Sequence, residues 1–322
     1  MNTFHKLISH FLCPLVLFST PENKDHDTGK FYAKVKKGCV EILVGGRLEG
    51  SGVVVNKEGS VVTALHVLRK KTNKFEALSK EFGRLPLKLI ATYRGCDLAL
   101  LSLPKKKEDY FYLPHGKEIP PEGSKAFLIG SPIFRHQLML TGFIARRDET
   151  FSWYENGFTK TFFITGIAAP GTSGGPWLNT KGEIFGLQVA GLTVDGKHQG
   201  VNKVVAIEHI KNLISQNKDI VVPTIEAAVE ELWGQSPVLL NRLPNGTKGL
   251  LFRQVFSNGI SAKAGIRNED IMLSANGKKY DRIEPFLEYI RAQTIGKEMK
   301  FLISSADGKN QREVKLKLVG LK

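Results

Sequence analysis

The 322-residue chain is predicted to be mainly β, a barrel or sandwich of two similar halves followed by a small α+β unit. Three observations carry this. Nine short apolar segments lie between Gly38 and Leu192, most of them separated by Gly, Pro, Asn, Asp or Lys-rich turns. Glycine is abundant, 32 residues, as a protein with many tight turns requires. Beyond Asn202 the apolar spacing changes to that of a helix, which marks the end of the β-rich region.

In chain order, residues 1–30 come first, with Lys6, an apolar stretch from Phe11 to Phe18 and a charged segment behind it. This is either a weak secretion signal or an ordinary buried N-terminal segment, and it is too short to span a bilayer. The strands follow: CVEILVG, SGVVVN, SVVTALHVL, LKLIATY and DLALLSL, then KAFLIGS, LMLTGFIAR, TFFITGI and GEIFGLQVAGL. Regularly spaced short strands favour a closed or stacked β architecture over a βαβ sheet. HGKEIPPEG at 115–123 divides the two halves.

VVAIEHIKNLISQ places Ile207, Ile210, Leu213 and Ile214 on one helical face, so a helix should close the region 31–217. Residues 218–235 read as a linker, with a short helix over TIEAAVEELW. In 236–322, GLLFRQVF, DIMLSANGK, EMKFLISSADGK and REVKLKLV read as strands, the last two forming a hairpin around DGK. DRIEPFLEYIRAQT reads as a helix whose start carries a capping-box pattern, Asp281 and Glu284, with Pro285 in the first turn.

Hydrophobic residues make up 42% and charged residues 24%, ordinary globular values that exclude wholesale disorder and a polytopic membrane protein. Lys and Arg outnumber Asp and Glu 46 to 31, and the net charge of +15 attracts anionic surfaces. No zinc-finger spacing, RRM-type aromatic motif or long basic helix singles out nucleic acid. Of the three cysteines, Cys13 lies in the N-terminal segment; Cys39 and Cys96 either pair, if the chain is exported, or remain two lone buried thiols. No C-x-x-C or H-E-x-x-H spacing suggests a metal, and no cofactor is called for.

The chemistry centres on APGTSGGPWL, residues 169–178, where Ser173 is surrounded by turn-forming glycines. By itself the string is compatible with a plain turn. A nucleophilic serine needs a base, and the base needs a carboxylate to orient it. His66 follows the strand SVVTAL and Asp97 opens DLALL. Singly, each is more often a packed histidine or a turn former; in the order His, Asp, Ser on separate strand ends, together they point to catalysis.

SGVVVNKEGSVVTALHVL, DLALLSL and APGTSGGPWLNTKGEIFGL resemble the His, Asp and Ser blocks of trypsin-like serine proteases, most nearly the HtrA (Deg) family, in which a protease domain precedes a PDZ domain. The likeness runs over roughly residues 38–322. It implies a double six-stranded β-barrel, Ser173 as nucleophile, His66 as general base and then acid, and Asp97 as the orienting carboxylate. The backbone amides of Gly171 and Ser173 would form the oxyanion hole. Ile167, with Leu187, Gln188, Val189 and Ala190, would line the specificity pocket; with no acid there, a small or medium apolar substrate residue is expected.

The PDZ resemblance rests on GLLFRQVFSNGISAKAGIRNEDIMLSANGKKY, with Gly249, Leu250, Leu251 and Phe252 expected to receive a peptide C-terminus as an added strand. The family implies unfolded or misfolded polypeptide as substrate and a homotrimer, with Phe31 and Tyr32 as candidate packing residues. It also implies export to the periplasm or envelope, the alternative being the cytoplasm. A catalytically weak peptide-binding scaffold is the rival function. Three departures stand out: Ala64 and Leu65 before the histidine, Thr172 where the family has Asn, and Glu269–Asp270 where it has Gly-Asp. The segment 147–162 is where activation loops would lie.

Overall fold

The computed structural model describes residues 28–69, 72, 74–154 and 156–321; the candidate secretion signal and Cys13 lie outside these residues. Helix α1 (Thr28–Val35) leads into β1 (Cys39–Val44), β2 (Arg47–Val54), β3 (Ser60–Ala64), β4 (Phe75–Ser79), β5 (Gly83–Tyr93) and β6 (Leu98–Ser102). These six strands close into a barrel in the order β1-β2-β3-β6-β5-β4. A second six-stranded barrel follows: β7 (Lys125–Gly130), β8 (Leu138–Tyr154), β9 (Gly157–Thr165), β10 (Pro176–Leu178), β11 (Ile184–Val194) and β12 (Lys197–Ala206), ordered β10-β11-β12-β9-β8-β7. The proline-rich stretch lies in the connection between them.

Burial explains why these segments read as strands. β1 is buried at all six positions because one face fills its barrel and the other packs against neighbouring elements. β4 alternates buried and half-buried residues, the period of a strand with one face in the core. The second barrel is filled by Trp177, Phe162 and Phe185, while a larger cluster including Ile42, Leu101, Ile184, Leu187 and Ile210 joins both barrels. Helix α2 (Ile207–Gln216) closes the pair with Ile207, Ile210 and Leu213 buried, and ends at Asn217 in the left-handed region.

The strand segments 147–154 and 157–165 belong to one long β8–β9 hairpin, so the expected loop at 147–162 is instead regular structure except at its turn. Phe31 packs against Phe127 at 4.8 Å between ring centres, and the Tyr32 hydroxyl donates to the Gln137 carbonyl at 2.6 Å, so both residues are engaged within their own chain. Cys39 and Cys96 are free and buried, and burial pushes the Cys39 thiol to a higher pKa.

The C-terminal unit begins earlier than residue 236. β13 (Pro223–Thr224) is followed by β14 (Ala228–Glu231), α3 (Pro237–Leu240), β15 (Leu250–Arg253), α4 (Ile260–Lys263), β16 (Ile271–Ala275), α5 (Ile283–Arg291), β17 (Glu298–Ser304), β18 (Gln311–Lys317) and β19 (Val319–Gly320). β13 pairs with β19, and the remaining strands form one sheet in the order β14-β15-β16-β17-β18.

Three expectations change here. TIEAAVEELW contains a strand in place of the expected helix, with only a 3₁₀ turn beginning at Leu232: Ala228 to Glu231 pair with Arg253 to Leu250, and Glu226 has φ +53°. Its Ala, Glu and Leu favour a helix locally, but the ladder to β15 overrides that preference. The Asp281–Glu284 capping box does not form, since α5 starts at Ile283, whose N–H donates to Glu231 Oε1 at 3.0 Å, while Glu284 accepts from Thr150 Oγ1. Finally, Leu250, Leu251 and Phe252 lie in β15, an interior strand paired on both edges and fully buried. No peptide can add as a strand at Gly249–Phe252, because the backbone groups it would use are already in the ladder.

Candidate active site

His66 sits on a 3₁₀ turn, Leu65–Leu68, at the end of β3, and Asp97 ends the turn Arg94–Cys96 that enters β6. Asp97 adopts φ 52°, ψ 42°, a left-handed conformation that aspartate tolerates better than most side chains. The turn is fixed from both sides: Asp97 N–H donates to Arg94 O at 3.0 Å, and Asp97 O accepts from Leu65 N–H at 2.8 Å. The carboxylate is buried and takes two bonds from one residue. Oδ2 lies 2.6 Å from His66 Nδ1, and Oδ1 accepts His66 N–H at 2.9 Å. With Nδ1–H donated to Asp97, the neutral ring presents Nε2 as a proton acceptor.

Ser173 lies on the turn before β10, between the two barrels. Its carbonyl accepts Ser51 N–H at 2.8 Å, and Gly174 N–H donates to Gln188 O at 2.7 Å. Thr172 is buried and closes the turn by donating Oγ1 to Ala169 O at 2.8 Å. That gives the departure from the family pattern a structural role. Gly171 has φ +101°, and a Cβ there would stand 2.4 Å from Ser131 O, so the position needs glycine. Among the described residues the amides of Gly171 and Ser173 donate to no protein acceptor, and Ser173 Oγ makes no hydrogen bond.

The loop's orientation depends on residues that no motif indicated. Pro170 O accepts Ile133 N–H at 2.9 Å, and Gly171 O accepts Ser51 Oγ at 2.8 Å. Ser51 Oγ also accepts Ser131 N–H, and Ser131 Oγ donates to buried Glu41 at 2.6 Å. His136 Nδ1 reaches the same carboxylate at 2.8 Å. A continuous polar chain therefore runs from the surface at His136 to the Gly171 peptide.

A cavity of about 400 Å³ opens in front of Ser173 and His66. Ile167, Gln188, Val189 and Ala190 border it, as expected from sequence, but Leu187 does not: it is fully buried in the core. The pairing with β12 shifts register between Gln188 and Ala190, and this irregularity lets three successive residues reach the cavity while Leu187 stays inside. Sequence reasoning missed His198, Asn202 and Tyr154. His198 Nδ1 accepts Gly200 N–H, which assigns its proton to Nε2, facing Asn202 Oδ1 at 3.3 Å. Gln188 accepts from Trp177 Nε1 and donates to Ala190 O, so the wall is polar but neutral. No acidic side chain borders the cavity among the described residues.

Tyr154, at the end of β8, sets its ring edge-on to His66 at 5.7 Å, and the Arg69 guanidinium lies 5.6 Å from the Tyr154 ring. Burial, reinforced by the negative charge of Asp97, raises the Tyr154 pKa above that of a free phenol. Tyr154 thus stays neutral beside the imidazole.

Two packed six-stranded barrels with a His-Asp pair and a glycine-framed serine at their junction define a trypsin-like serine peptidase fold. The family model for a trypsin-like peptidase domain matches residues 50–187. The chain is 27% identical over 240 residues to a probable periplasmic serine endoprotease, DegP-like, of Pseudomonas putida, covering 71% of this chain and 47% of that protein. It is also 27% identical over 257 residues to the periplasmic serine endoprotease DegP of Escherichia coli, covering 78% and 53%. The chain thus spans about half the length of these relatives. In structure it is similar to the HtrA-type protease AlgW with decapeptide, with TM-score 0.63, 15% identity, and coverage of 90% and 99%. The serine endoprotease from Yersinia pestis is matched at TM-score 0.62 and 17% identity, covering 91% and 98%. In sequence and in fold the chain is thus similar to HtrA-type serine proteases.

Proposed function

We propose that this chain is a serine endopeptidase acting on unfolded or misfolded polypeptides through an acyl-enzyme. The observation that carries the proposal is the doubly hydrogen-bonded His66–Asp97 pair, whose imidazole shares a cavity with Ser173. In this reading Ser173 Oγ attacks the scissile carbonyl while His66 Nε2 takes its proton. The tetrahedral oxyanion is received by the Gly171 and Ser173 amides, a contribution of roughly 3 kcal/mol per donor. His66 then protonates the leaving amine, and the peptide bond breaks to leave an ester on Ser173. Water, deprotonated by His66, attacks that ester and releases the new carboxyl terminus. Asp97 remains ionised throughout and stabilises the imidazolium.

The neutral cavity, lined by Ile167, Val189 and Ala190 with Gln188 and His198, suits a small or medium uncharged side chain before the scissile bond. The C-terminal unit serves as a PDZ-type peptide-binding module. Its sheet edge at β14, Ala228–Glu231, which pairs with no second strand among the described residues, is where a peptide would add, since β15 is paired on both sides. The relatives' description as periplasmic supports export of this protein as well. The positive charge favours contact with an anionic surface.

The test compares digestion of a denatured model protein by wild type and by Ser173→Ala. Loss of cleavage with retained peptide binding is the expected result. Equal digestion by both proteins removes the protease reading, and peptide binding without digestion by wild type favours the scaffold.

A further inference from the structure

Resting on that reading, we propose that Arg291, carried by α5 of the C-terminal unit, is a positioning residue for the triad aspartate. Arg291 is half-buried at the helix's last position, and its guanidinium reaches across to both barrels. One NH₂ group donates to the carbonyl of Gly95 at 3.0 Å, and the other donates to the carbonyl of Phe158 on β9. Gly95 is two residues before Asp97, in the same 3₁₀ turn that holds Asp97 left-handed. The approach is close enough that a Cβ on Gly95 would lie 2.7 Å from the Arg291 guanidinium.

Among the described residues no carboxylate forms an ion pair with Arg291; it spends its donors on neutral backbone carbonyls and lies over the Phe151 ring at 5.1 Å. An arginine placed this way does little to neutralise charge. Its rigid fork instead fixes the distance between two backbone segments, a role the flexible single ammonium of lysine fills less well. The segments it joins are the catalytic-aspartate turn of the first barrel and the β8–β9 hairpin of the second.

Other contacts hold the segments on either side of this junction. Asp219 Oδ1 accepts from both Thr92 N–H and Thr92 Oγ1, and Ile220 N–H donates to Thr92 O, so the segment leading into the C-terminal unit is tied to the end of β5. Glu284 and Glu288 of α5 hold Thr150 and Lys160 of the hairpin. Docking of the C-terminal unit therefore presents Arg291 to the turn in a defined pose. The competence of Asp97 depends on a residue almost two hundred positions away in the chain.

The experiment uses the full chain and the variants Arg291→Ala and Arg291→Lys. It measures kcat and KM on a peptide substrate and the rate and final extent of labelling of Ser173 by a fluorophosphonate. A displaced aspartate should lower kcat of Arg291→Ala by about tenfold to a hundredfold while KM stays within about twofold. Labelling should be slowed in proportion but still reach every site. Millimolar guanidinium should partly restore Arg291→Ala and leave wild type unchanged, and Arg291→Lys should fall between. A purely structural role predicts the opposite pattern, with only a fraction of sites labelled, those at the wild-type rate, and no restoration. That pattern, or wild-type kinetics in Arg291→Ala, overturns the inference. Wild type that is neither labelled nor active overturns the protease reading, and the inference falls with it.

Discussion

His209 Nε2 lies 2.7 Å from Glu149 Oε1, a half-buried pair that pins the closing helix α2 to the long hairpin of the second barrel. Lys160 joins the same carboxylate at 3.5 Å and reaches Glu288 of the C-terminal unit at 2.7 Å. Burial works against the imidazolium, but Cys96 and Glu149 beside it outweigh burial and push the His209 pKa up to about 10. For Glu149, burial is likewise outweighed, by His209 and Lys160, and its carboxyl is held below the usual range.

This pair should make stability pH-dependent on the alkaline side. A histidine whose pKa is raised on folding contributes fully below its unfolded value near 6.5 and loses that contribution as pH rises through about 10. The slope is up to about 1.4 kcal/mol per pH unit. Denaturant midpoints of wild type and His209→Asn should differ by a constant amount in mild acid and converge above pH 7. A gap that widens towards pH 10 contradicts the pairing.

Asp97→Asn should leave the fold intact and reduce kcat by about 10³–10⁴. The carboxylate serves both His66 Nδ1 and His66 N–H, one oxygen each. An amide has only one oxygen, so either the backbone bond is lost or an NH₂ group faces Nδ1 and forces the proton to Nε2. Single-turnover acylation measures this directly, and a loss below tenfold would falsify the role of Asp97 in setting the tautomer.

Gly171→Ala should impair transition-state binding more than substrate binding. Its Cβ would meet Ser131 O at 2.4 Å, and its φ of +101° is strained for alanine, so the Pro170–Gly171 peptide must shift. Misdirecting one oxyanion donor costs about 10²–10³ in kcat. Unchanged kcat with raised KM would place the oxyanion donors elsewhere.

Ser51→Ala tests the polar chain behind the loop. The substitution leaves Ser131 N–H buried without its acceptor and frees the Gly171 carbonyl, at a stability cost of about 1–3 kcal/mol. Denaturant unfolding should show this loss, and kcat should fall at temperatures where the variant is fully folded. Full activity in the folded variant would leave Ser51 a structural residue only.

The two β halves, the α2 closure and the three blocks around His66, Asp97 and Ser173 are legible in the unfolded chain. These are local patterns: strand periodicity, turn chemistry and short motifs are written in consecutive residues. The sequence also located Thr172 as a departure, without revealing that its hydroxyl closes the Ala169 turn. Which strand is an edge is set by the assembled sheet, since GLLF in the sheet interior and AVEE at its margin differ in no local rule that fixes strand order. The same holds for Leu187, which one register shift separates from Gln188 and the cavity. Ser51, Glu41 and Ser131 are ordinary strand and loop residues until the two barrels meet. Arg291 is an ordinary helix-terminal arginine until α5 docks against Gly95 and Phe158, because a backbone carbonyl's need for a donor leaves no trace in the sequence that supplies it.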